Sequence, residues 1–164
     1  MTTAPVVANT ETGTLPCRIL LAEDSEADVA LVRRSLREGK VDHILHVAKD
    51  GAEAIAFIRE ADKNARAPGL DLLLLDMHLP RHDGEDILKC LRSTERYAQV
   101  PVVVMSSSDA PADREKAQKH AALVYFRKPS SLVEFIELGK IVGEILRGTK
   151  PAAPDSAARA GQAI

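Results

Sequence analysis

The sequence predicts an α/β fold, a parallel five-stranded sheet doubly wound by helices, and three observations carry that prediction. Short apolar runs recur along the chain, and segments of helical periodicity fill the gaps between them. Two of the runs, the leucines before Asp76 and the Val-Val-Val-Met before Ser106, lack polar alternation, as strands covered on both faces by helices do.

The first run, Arg18–Ala22, precedes a helix-like segment over Glu26–Glu38. His43–Val47 is the second run, followed by helical spacing over Gly51–Asn64. The third, Leu70–Leu75, is paired with Gly84–Glu95, and the fourth, Val100–Met105, with Pro111–His120. Ala122–Phe126 completes the set and leads into Ser130–Arg147, where Leu132, Phe135, Ile136, Gly139, Val142, Gly143 and Leu146 recur at helical spacing. The pattern is βα repeated five times. Right-handed crossovers then place helices on both faces of the sheet, and ligands bind beyond the carboxyl ends of its strands.

Bulk properties bound the function. A chain of 164 residues, 45% apolar and 28% charged, suffices for one core, expected over residues 16–148. Residues 1–15 and 149–164 read as loose tails, the second interrupted by Pro151 and Pro154. With 22 basic and 24 acidic residues the formal charge of −2 gives no reason to expect nucleic acid as a ligand. Only two cysteines, Cys17 and Cys90, occur, so a disulfide framework has no support and a reducing cytoplasm fits. No secretory signal and no apolar stretch of membrane-spanning length is present, so no membrane association is expected.

The chemistry collects at the strand ends: Glu23 and Asp24 after the first, Asp76 after the third, Ser106 after the fourth, and Lys128 with Pro129 after the fifth. Singly these have ordinary explanations. An Asp after an apolar strand is commonly a cap or turn former, Asp24 before Ser25 could open a helix, and Lys128 could be a solvated residue before a proline. Jointly they converge on one edge of the sheet, and three carboxylates there need a cation to remain ionised. Oxygen donors select Mg2+, which prefers carboxylates, waters and a phosphate. Beside it a phosphoryl group could share its oxygens with the metal, the Lys128 ammonium and the Ser106 hydroxyl, with Asp76 as a nucleophile that needs no deprotonation.

These residues resemble the signature of the response-regulator receiver family: an acidic pair, an aspartate closing a central strand, a Ser or Thr, and Lys-Pro. The separations, 52 from Asp24 to Asp76, 30 from Asp76 to Ser106 and 22 from Ser106 to Lys128, are similar to the family's, and the likeness covers about Arg18 to Arg147. It implies a flavodoxin-like strand order of 2-1-3-4-5. It implies further that Asp76 takes a phosphoryl group from a sensor histidine kinase, and that Glu23, Asp24, Asp76 and the His78 backbone carbonyl hold Mg2+. Ser106 and Tyr125 would then form the switch, and the Lys128–Pro129 peptide would be cis. Pro80 and Gly84 fit the family's turn after the phosphoacceptor.

The side chains of His78 and His82 read as solvated, since imidazole is a poor ligand for Mg2+. That of His78 could tune acyl-phosphate hydrolysis. Ser108 and Asp109 read as caps of the fourth helix, and Phe57 and Cys90 as core or interface residues. The extra loop Ala65–Gly69 is similar to that of phytochrome-associated regulators, which makes a bacteriophytochrome the candidate kinase and a homodimer through the last strand and helix plausible.

Three other functions compete. A flavin-binding domain would need a hydroxyl- or Gly-rich first loop, where Glu23 and Asp24 would repel the phosphate. A haloacid-dehalogenase-like phosphatase would need an acid/base aspartate at the place of His78 and a cap domain. A phosphorylation-independent adaptor has no use for the intact set of Asp76, Ser106 and Lys128.

Overall fold

The computed structural model describes residues 15–148, so the two expected tails lie outside the described residues except for Leu15. Within them the elements alternate as β1 (Cys17–Ala22), α1 (Glu26–Glu38), β2 (His43–Ala48), α2 (Gly51–Lys63), β3 (Leu72–Asp76), α3 (Gly84–Arg92), β4 (Val102–Ser106), α4 (Pro111–Lys119) and β5 (Val124–Arg127), with the shorter α5 (Leu132–Phe135) and α6 (Glu137–Leu146) closing the series. The five strands form one parallel sheet in the order β2-β1-β3-β4-β5. The predicted fold class and strand order are those observed.

Alternation along each strand divides the core into two layers. Leu20, Leu73, Leu75, Val102 and Val104 point to the side covered by α2 and α3, where Ala54, Ile58, Ile87, Leu88 and Leu91 meet them. Ile19, Leu21, Leu72, Leu74, Val103 and Met105 point the other way, onto Val32 and Leu36 of α1 and Leu138, Ile141 and Val142 of α6. All residues of β3 and β4 are buried, which is why both runs are uninterruptedly apolar up to their last positions. Asp76 and Ser106 are themselves the final residues of those strands.

Element boundaries differ from the predicted ones where distant partners intervene. β3 begins at Leu72 because Asp71 is held in a loop: its N–H donates to Arg18 O at 2.8 Å and its carboxylate accepts the Arg18 N–H at 2.7 Å. β4 begins after Pro101, which has no N–H for the ladder and only accepts, from Leu73. α3 stops at Arg92, short of Glu95, because the hydroxyls of Ser93 and Thr94 donate back to the Cys90 and Leu91 carbonyls.

The last helix is not continuous. The buried Ser35 hydroxyl donates to Phe135 O at 2.9 Å, and Gly139 N–H bonds Ile136 O at 3.0 Å, one residue short of the α-helical partner. Ser108 and Asp109 do not cap α4; that position belongs to Ala110, without a side-chain bond, ahead of Pro111. Ser108 instead accepts the Ala110 N–H in a turn, and Asp109 pairs with Arg114. The Lys128–Pro129 peptide is trans, as are all peptides among the described residues, so the cis form implied by the family resemblance is not present. Trans is the intrinsically preferred isomer even before proline.

Candidate functional site

Glu23, 1% exposed, continues past β1 through a 3.0 Å bond from its N–H to Ala48 O on β2. One carboxylate oxygen accepts Ser25 N–H at 3.0 Å and the other accepts Lys128 Nζ at 2.7 Å. Asp76, 7% exposed, accepts His78 N–H on Oδ1 at 2.9 Å and Lys128 Nζ on Oδ2 at 2.7 Å. Lys128 is fixed at its backbone by a 2.8 Å bond to Ser106 O, which aims its side chain across the strand ends. Its third acceptor is Asp28 Oδ2, at 2.8 Å.

The loop after Asp76 is pinned close to the strand. Gly84 N–H donates to Met77 O at 3.0 Å, and a Cβ at Gly84 would lie 2.7 Å from Met77 Cα, so no larger residue fits this approach.

Charge is concentrated here. Burial pushes the Glu23 carboxyl above its ordinary value, more than its bonds to Lys128 and Ser25 pull it down. Burial likewise works against the Lys128 charge, yet its hydrogen bonds to Asp28, Asp76 and Glu23 prevail and hold the ammonium above the usual lysine range. Glu23, Asp24 and Asp76 offer oxygens lying within 4.8 Å of one another. Hard oxygen donors at this spacing, with more negative charge than one ammonium offsets, fit a divalent cation.

A second group of contacts runs from this site to α4. Ser106 is fully buried and its Oγ accepts Ser108 N–H at 3.1 Å. The Tyr125 hydroxyl donates to Ser108 O at 2.9 Å, and the Arg114 guanidinium lies over the Tyr125 ring at 4.5 Å. Burial raises the Tyr125 phenol above its ordinary value. The His78 imidazole is not merely solvated: its Nε2 lies 2.9 Å from Asp113 Oδ2 in the first turn of α4.

Glu23, Asp24, Asp76, His78, Ser106, Tyr125 and Lys128, the site residues expected from the sequence, therefore gather at one edge of the sheet or adjoin it. Asp28, Asp113 and Arg114 were missed. Asp28 occupies the third position after the N-cap Ser25, where an acidic residue reads as half of a capping box. Here Glu23 takes the Ser25 N–H, which leaves the Asp28 carboxylate for Lys128.

The family model of the response regulator receiver domain matches residues 19–139. The chain belongs to the response-regulator receiver family. Response regulator Rcp1 of Synechocystis sp. is 32% identical over 123 residues, 75% of this chain and 84% of that protein. Among solved structures, the phosphorylated cyanobacterial phytochrome response regulator RcpA is 31% identical with a TM-score of 0.72, over 81% of this receiver and 95% of that chain. The Mn2+-bound form of Rcp1 is 30% identical, also at 0.72, over 84% of this receiver and all of that chain. This receiver is thus a two-component signalling protein with phytochrome-associated relatives, and the flavin-binding and phosphatase alternatives fall away. No described helix is long and apolar enough to cross a membrane.

Proposed function

We propose that this receiver accepts a phosphoryl group on Asp76 from the phosphohistidine of a sensor kinase. The carrying observation is the convergence of Glu23, Asp24 and Asp76 with the Lys128 ammonium at the carboxyl edge of the sheet. An Asp76 carboxylate oxygen forms the new P–O bond while the P–N bond breaks, and the imidazole nitrogen leaves with the electron pair. No proton need be removed from the nucleophile, and the Asp28–Lys128 ion pair stands ready to orient a phosphoryl oxygen. Glu23, Asp24, Asp76 and the His78 carbonyl would hold Mg2+, whose charge would offset that of the phosphoryl oxygens. Slow hydrolysis of the acyl phosphate would return the protein to its starting state.

The readout proposed is Ser106 moving to the phosphoryl group and giving up the Ser108 N–H, which loosens the Ser108 carbonyl that holds the Tyr125 hydroxyl, so that Tyr125 changes its packing against Arg114 and the surface of α4 and β5. Output would pass through cytoplasmic protein contacts. The phytochrome relatives support a bacteriophytochrome as the kinase, and exposed Leu123, Leu132 and Val133 support a homodimer through the last strand and the helices after it. Residues 16–148 would make up the receiver domain.

The test is incubation with acetyl phosphate and Mg2+ followed by intact-mass analysis. Wild type gains one phosphoryl group and Asp76→Asn gains none. Equal labelling of both, or of neither, overturns the assignment, and the second result points to a phosphorylation-independent adaptor.

A further inference from the structure

Lys128 uses all three of its N–H bonds, on Glu23 Oε2, Asp28 Oδ2 and Asp76 Oδ2. Two of those acceptors belong to the carboxylate set that fits a divalent cation; Asp28 does not. A cation ligated by Glu23 and Asp76 therefore draws on the same two carboxylates as the ammonium and also repels it. The acceptor left to Lys128 is Asp28. Its side chain is the most open of the three, 26% exposed against 11% for Asp76 and 0% for Glu23, so it draws the ammonium toward the mouth of the site. The first turn of α1 fixes its position, with its backbone N–H on the Ser25 hydroxyl at 3.3 Å.

Resting on the metal and phosphoryl reading of this site, we propose that Asp28 is a positioning residue that retains Lys128 when Glu23 and Asp76 are given over to the metal. Without it the ammonium falls wholly on those two carboxylates and competes with the cation. Asp28 would thereby set metal affinity through Lys128, over and above its own negative charge.

The experiment is a double-mutant cycle on Mg2+ binding, measured by calorimetry without a phosphodonor. Asp28→Asn is expected to raise the Mg2+ Kd about tenfold when Lys128 is present and less than about twofold in a Lys128→Gln background, with Asp28→Glu restoring part of the affinity. Lys128→Met serves as the background if Lys128→Gln does not fold. An equal factor in both backgrounds would mean that Asp28 acts only as a fixed charge and would overturn the proposal, as would no change in the single variant. If wild type binds no Mg2+, both readings fail. Phosphoryl acceptance is read separately by mass, so its loss with the coupling intact overturns only the role of Asp76.

Discussion

At the residue scale, Glu23 shows what the site demands of the fold. Its carboxyl is raised from the ordinary 4.5 chiefly by burial. The folded protein therefore holds a proton on Glu23 over a pH range in which the unfolded chain has lost it. The stabilising contribution is complete below pH 4.5 and is lost as pH rises through the folded value. Glu23→Gln cannot ionise, so metal-free urea unfolding should show the variant gaining on wild type as pH is raised from 4.5 toward neutrality, and a pH-independent difference would contradict this. Glu23, Asp76 and Lys128 were legible in the sequence because they lie directly at the ends of apolar runs. Asp28 was not, since its spacing from Ser25 matches a capping box and only the fold reveals that Glu23 has taken the cap's partner. Asp113 and Arg114 escaped for a similar reason: charged residues on a polar helix read as a solvated face until His78 and Tyr125 are seen against them.

At the scale of elements, the strands were legible and their limits less so. Apolar runs identify β3 and β4, but Asp71, Pro101 and the hydroxyls of Ser93 and Thr94 set boundaries through hydrogen bonds that periodicity does not contain. The break between α5 and α6 belongs to the same class. It lies where Ser35, a hundred residues away in sequence, takes the Phe135 carbonyl. The packing of α1 on α6 there is close enough that a Cβ at Gly139 would overlap the Ser35 carbonyl oxygen and lie 2.6 Å from its carbon. Backbone cannot yield as a side chain does, so Gly139→Ala should lose about 2 kcal/mol despite the helix propensity of alanine. A Cβ at Gly143 meets only the flexible end of Arg147, at 3.1 Å. Gly143→Ala should therefore be neutral or gain up to about 1 kcal/mol. Urea midpoints measured on the pair separate the two helix positions, and equal effects would remove the close approach as their cause.

For the whole molecule, the same sheet supplies both a tightly packed core and an edge crowded with like charge. Two apolar layers fill the faces of β3 and β4, while their last residues, with Glu23 and Asp24, bring polar groups and charge to the boundary of that core. One ammonium cannot offset the carboxylates of Glu23, Asp24, Asp28 and Asp76, so the folded state carries a repulsion that the unfolded chain relieves by separating them. The proposed divalent cation, bound only by the folded state, would reverse that balance. At Mg2+ about one hundred times its Kd the linkage amounts to ~2.7 kcal/mol, a rise in Tm of roughly 10 °C for a domain of this size. Asp24 is exposed and lies outside the Lys128 network, so Asp24→Asn removes an oxygen of the proposed Mg2+ site and a repelling charge without disturbing packing. Its metal-free Tm should equal or exceed that of wild type, and most of the gain with Mg2+ should vanish. Calorimetric melts at matched ionic strength distinguish this from salt screening. If Asp24→Asn kept the full rise in Tm, the carboxylate edge would not be where the cation acts, and the proposed Mg2+ site would fall.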